Sequence, residues 1–212
     1  MKVIGITGGI GSGKSFVCKI LEEMGYAVYY SDDRAKTLMN SDLRIQKELK
    51  QLFGEEVYNE DGLNRELIAK KIFSDIALRK KINQLIHPIV REDFERWKEG
   101  FKNEGFIFNE AAILFETGAH VNYDSVILVY APMQIKLKRI KKRDGVSEEE
   151  VLRKINSQWS DEQKMKLTPH HILNDGKNPL NERISEVLAQ LSKPNELLLI
   201  CLSSLRKNKT ES

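Results

Sequence analysis

The hydrophobic positions of this chain change period several times, and each change predicts an element. "KVIGIT" (2–7) is continuously apolar and rich in β-branched residues, the pattern of a parallel strand covered on both faces. Glycines at 8, 9, 11 and 13 break it abruptly. In "KSFVCKILEEMG" (14–25), Phe16, Val17, Ile20, Leu21 and Met24 recur at helical spacing, and Gly25 supplies a helix end. Short apolar runs return at 26–31, 106–111, 125–131 and 170–175, and each reads as a strand. From Asp32 to about Gly105 the pattern is mostly charged and helical. Helices are predicted over 33–40, 43–53, 64–73 and 76–102, with a turn at "NEDG" (59–62). Later helices are predicted over 133–143, 147–158 and 179–192, with a break at Asp144-Gly145.

Strands separated by helices imply an α/β fold, with a five-stranded parallel sheet between two helical layers. Residues 1–32, 106–132 and 166–192 are assigned to this discontinuous core. A helical insertion occupies 33–105, a lid 133–165 and a tail 193–212. The apolar run "LLLICL" (197–202) in the tail is too short to span a bilayer. Ligands bind such sheets at the carboxyl ends of the strands. The glycines, Asp32 and the neighbourhood of Glu110 should therefore converge.

Charge narrows the function classes. The net charge is only +3, and six of the basic residues lie within "KLKRIKKRD" (136–144). One compact cluster suits a compact anion better than a nucleic-acid face, so no nucleic-acid partner is expected. Cys18 and Cys201 are far apart and give neither a disulfide framework nor metal-ligand spacing. That usage, with too few apolar residues before the glycines to form a signal-peptide core, predicts a cytoplasmic protein without membrane association.

Gly8-x4-Gly13-Lys14-Ser15 matches the G-x-x-x-x-G-K-[ST] phosphate loop. Glycines let the backbone approach phosphate oxygens, and successive N–H groups with the following helix N-terminus form an anion cradle. Lys14 is placed to reach the β and γ phosphates and Ser15 to ligate Mg²⁺. A switch GTPase would add D-x-x-G and N-K-x-D. No aspartate here is followed by glycine at the third position, and Asn208-Lys209 leads into Thr210-Glu211. The remaining parts are those of a small-molecule kinase. Asp32 follows strand two, as a helix N-cap or as the carboxylate that orients an acceptor hydroxyl and helps hold Mg²⁺. Lys136, Arg139 and Arg143 share one helical stripe, either a solvated face or a phosphate clamp.

The motifs "TGGIGSGKS", "SDD", "LIHPIV" (85–90), "AAILFE" (111–116), "LKRIKKRD" (137–144) and "ILNDG" (172–176), in this order, resemble the dephospho-coenzyme A kinases. The resemblance implies transfer of the ATP γ-phosphate to the ribose 3′-hydroxyl of dephospho-CoA. A nucleoside monophosphate kinase, another small-molecule kinase or a nucleotide-binding regulatory protein are the alternatives. It implies that Gly9, Ile10, Gly11, Ser12, Gly13, Lys14, Ser15 and Phe16 hold ATP, with Asn174 and Gly176 near the adenine. It makes Lys14, Asp32, Arg139 and Arg143 catalytic, with Ser15 and Asp32 at Mg²⁺. Insertion 33–105 would receive the acceptor, with His87 and Leu114 as candidate contacts. Two positions depart from the family pattern. Tyr30 stands where the "DAD"-like motif has its first acid, and Phe16 stands where Thr is common and is expected to pack inward. Glu110 and Glu116 are expected to lie behind the site.

Overall fold

The computed structural model describes residues 1–73 and 75–193. The predicted apolar run 197–202 and Cys201 lie outside the described residues. In chain order the elements are β1 (Lys2–Thr7), α1 (Lys14–Glu23), β2 (Ala27–Tyr30), α2 (Ser31–Ser41), α3 (Leu43–Phe53), β3 (Tyr58–Asn59), β4 (Gly62–Leu63), α4 (Arg65–Phe73) and α5 (Ile76–Lys98). They continue with β5 (Phe106–Glu110), β6 (Ser125–Tyr130), α6 (Met133–Asp144), α7 (Glu148–Asn156), α8 (Asp161–Met165), β7 (His170–Leu173) and α9 (Leu180–Ser192).

Five strands form one sheet in the order β2-β5-β1-β6-β7, and each neighbouring pair is parallel. Alternating side chains serve the two faces. Phe108 and Ile127 join Ile4, Ile6, Val17 and Leu21 under α1 and α9. Their strand neighbours Ile107 and Val126 face the other way, into separate clusters with Phe94 of α5 and with Leu114 and Phe115. Full burial of each such side chain contributes about 1.5–3 kcal/mol. All five strands therefore end along one edge, carrying the glycine loop, α2, Glu110, α6 and Asn174 to a common place.

The segment after β2 has its own apolar cluster, built from Leu38, Ile45, Leu49, Phe53, Ile82 and Ile86 on α2, α3 and α5. The expected turn at 59–62 joins β3 to β4 as a small antiparallel hairpin. Pro88 neither starts nor ends a helix, because α5 runs through it. A proline there removes the N–H that would have reached the Gln84 carbonyl, and its ring crowds that carbonyl, a local cost that α5 absorbs. Helix α8 is not signalled by periodicity. Its five residues are set instead by a capping box, in which Ser160 and Gln163 exchange side-chain and backbone hydrogen bonds.

A buried polar tie holds α2 at its angle to α5. Arg34 donates from Nε and Nη2 to the two oxygens of Asp93, both at 2.8 Å, and the Tyr29 hydroxyl donates to Asp93 at 2.7 Å. The Arg34 hydrogen bonds are the main reason the Asp93 carboxyl lies below its ordinary range. A depressed folded-state value makes the contribution complete above the unfolded value of about 4 and removes it as pH falls through the folded value. Asp93→Ala is expected to lower unfolding free energy by about 1.5–3 kcal/mol at neutral pH. The difference from wild type should shrink as pH drops below about 4, which urea melts at the two pH values would show.

Candidate active site

The loop after β1 is shaped by two glycines that no other residue replaces easily. Gly13 has φ +91°, and a Cβ there would stand 2.1 Å from Asn174 Nδ2. A Cβ on Gly8 would stand 2.0 Å from the Val129 carbonyl oxygen. The loop is thus pressed against β6 on one side and the end of β7 on the other. Asn174 is buried, and its Nδ2 donates to the Ser12 carbonyl at 2.9 Å. Arg139 of α6 donates to the Ser12 and Gly11 carbonyls at 3.1 and 3.3 Å, and to Asn174 Oδ1 at 2.8 Å. With these carbonyls engaged from behind, the loop is free to turn its amides the other way, toward an anion. Ser15 is exposed in the first turn of α1.

Three charged residues from three strand ends meet at this loop. The Lys14 ammonium donates to the Gly8 carbonyl at 2.9 Å and lies 3.9 Å from Glu110 at the end of β5. Burial lowers the Lys14 ammonium below its ordinary value, with Glu110 and Asp32 opposing it. Burial likewise raises the Glu110 carboxyl, and Lys14 opposes that. Asp32 is not the N-cap of α2. Tyr30 holds that position without a side-chain bond, so the Asp32 carboxylate stands exposed in the first turn. It is within electrostatic reach of Lys14, Glu110 and His87. Although largely exposed, His87 titrates below its ordinary value through desolvation, against the pull of Asp32.

Other predicted residues are engaged elsewhere or, like Lys136 beside Gly9, are held in pairs of their own. Arg143 turns away, bonding Asp144 beside it at 2.6 Å with its side chain 61% exposed. Lys136, on the same expected stripe, is buried against Asp161. Leu114 packs beneath the sheet with Phe115 and Val126, so its side chain is core. Gly176 lies in an open turn with φ +70°. The two glutamates expected behind the site separate. Glu110 joins it, whereas Glu116 pairs with the buried Lys164 at 2.7 Å and accepts from the Trp159 amide. Sequence signals Glu110 through its place near the end of a strand predicted to reach the site, not through any pairing with Lys14.

A family model described as dephospho-CoA kinase matches residues 2–179. The chain belongs to the dephospho-CoA kinase family. A dephospho-CoA kinase of Bacteroides fragilis is 42% identical over 188 residues, covering 89% of this chain and 92% of that protein. The crystal structure of TT1252 from Thermus thermophilus superposes with a TM-score of 0.79 at 34% identity, covering 91% of this chain and 98% of that one. A shikimate kinase from Acinetobacter baumannii shares the fold alone, with a TM-score of 0.51 at 14% identity over 90% of this chain and 93% of that one.

Both departures from the family pattern have a local explanation. The Tyr30 hydroxyl donates to Glu22 of α1 at 3.0 Å, so this position adds no anion near Asp32. Phe16 does not pack inward; it is 58% exposed, because α1 buries Val17, Cys18, Ile20 and Leu21 on the opposite face. In this dephospho-CoA kinase family member Gly13→Ala should weaken ATP binding roughly tenfold or more, on the usual scale of backbone strain. Calorimetric titration with ATP would check it, with an unchanged circular dichroism spectrum as the control for folding.

Proposed function

We propose that this protein transfers the γ-phosphate of ATP to the ribose 3′-hydroxyl of dephospho-CoA, giving coenzyme A and ADP as the last step of coenzyme A synthesis. The observation that carries this reading is the convergence of Lys14, Glu110 and Asp32 at a phosphate loop in a chain of this family. Loop amides between Gly11 and Ser15 hold the triphosphate, and Lys14 leaves the Gly8 carbonyl to neutralise its β and γ oxygens. Asp32 accepts the proton of the attacking hydroxyl and aims that oxygen in line with the γ-phosphorus. Phosphoryl transfer needs little covalent help, so positioning and charge stabilisation carry most of the rate. Arg139 acts chiefly by fixing the loop through Gly11, Ser12 and Asn174.

The donor set suits Mg²⁺. Ser15 and Asp32 present hard oxygens at the loop, Glu110 lies behind them, and a few protein oxygens beside phosphate is how Mg²⁺ is held in such sites. When bound, the ion would neutralise charge on the transferring phosphoryl group. We assign helices α2–α5 to the acceptor, with His87 on α5 within electrostatic reach of Asp32. A cytoplasmic location fits the free, buried thiol of Cys18. Among the described residues no helix is long and apolar enough to cross a membrane.

ADP release should rise with dephospho-CoA and stay at background with AMP, with CMP or with no acceptor. Failure of dephospho-CoA to stimulate release would remove this reading in favour of another kinase or a binding protein. Asp32→Asn should leave ATP affinity nearly unchanged while turnover falls by about 10²-fold or more. The two lid arginines separate in the same assay. Arg139→Ala is expected to raise the KM for ATP roughly tenfold, from lost charge-assisted hydrogen bonds to the loop. Arg143→Ala is expected to stay within about twofold of wild type, as an exposed pair contributes little.

A further inference from the structure

The link between α7 and α8 lies against the front half of the phosphate loop, where no catalytic role has been assigned. The Ile10 amide donates to Gln158 Oε1 at 2.8 Å. A Cβ on Gly9 would stand 3.4 Å from Lys136 Nζ, 3.5 Å from Asp161 Oδ1 and 3.7 Å from Gln158 Oε1. Groups from α6, the link and α8 therefore converge on one glycine. Lys136 and Asp161 are both largely buried and form an ion pair that ties α6 to α8. Cutting one partner from such a pair leaves an uncompensated charge, which makes the arrangement rigid.

Apolar packing does not supply this rigidity. Gly9 and Ile10 border a cavity of about 630 Å³, also walled by Trp159, Met133 and Tyr130. Glycine-rich backbone loses more conformational entropy on ordering than any other. With a cavity beside them, these two residues depend on polar contacts for their position. Arg139, one turn along α6 from Lys136, holds the carbonyls of Gly11 and Ser12. Side chains from α6 and the link thus fix the loop through the Ile10 amide in its front half and the Gly11 and Ser12 carbonyls in its rear half.

We propose that Gln158 is a positioning residue for phosphoryl transfer, holding the front of the loop through the Ile10 amide with the Lys136–Asp161 pair as its support. Preorganised loop amides contribute to the rate because they need not reorganise as charge develops. The inference rests on the kinase reading above, and it concerns alignment of the phosphate donor, with no contact to the acceptor.

The test compares wild type, Gln158→Leu and Gln158→Glu for kcat, for the KM of each substrate and for thermal midpoint. Leucine keeps the bulk and removes the acceptor. It should lower kcat about tenfold, with the KM for dephospho-CoA within about twofold and the midpoint nearly unchanged. Glutamate keeps an acceptor oxygen for the Ile10 amide and should recover most of the lost kcat. Equal kcat in Gln158→Leu and wild type overturns the proposal. So do equal losses in both variants, or a loss that follows a lowered midpoint. Wild-type ADP release that ignores dephospho-CoA would instead remove the kinase reading itself.

Discussion

Everything in this site depends on holding a glycine-rich backbone in one conformation. An anion bound mainly by amide N–H groups needs those groups aligned beforehand, and glycine supplies access without rigidity. The rigidity comes from elements distant in sequence. Asn174 follows β7, Arg139 lies on α6 and Gln158 precedes α8, yet all three bond the loop after β1. The parallel sheet makes this possible, since it delivers every strand end to the same edge.

The same edge concentrates charge. Lys14 is buried beside Glu110, with Asp32 near both, and desolvation moves the lysine and the glutamate toward their neutral forms. A triphosphate entering this place would stabilise the lysine's positive charge. Asp32 differs from Glu110 in being exposed. The Arg34–Asp93–Tyr29 tie links α2, which carries Asp32, to α5 and β2.

Much of the architecture was legible in the chain. The five sheet strands lie within a residue or two of their predicted positions, because buried parallel strands read as continuous apolar runs bounded by breakers. The phosphate loop and Asp32 were readable because glycine spacing and strand ends are local signals. Other residues were misplaced for a shared reason. Helical spacing put Phe16 among the buried positions of α1, although that helix had two candidate apolar stripes and only packing chose between them. Motif position points to Leu114, and motif position with helical spacing points to Arg143, but neither says where a side chain turns. The stripe of Lys136, Arg139 and Arg143 was divided in space by partners from α8, the loop and the neighbouring Asp144.

The sequence by itself determined the donor side of the chemistry, since a phosphate cradle is built from consecutive residues whose conformational freedom is written in their identity. It also determined the alternation of strands and helices, through the periods at which apolar residues recur. Tertiary structure alone decided which charges share the site. It sent Glu116 to Lys164, turned Arg143 outward and set Gln158 on the Ile10 amide. These are pairings between residues tens of positions apart, or choices between side-chain directions. Both are fixed by the balance of burial and hydrogen bonding in the assembled fold, which no local pattern encodes.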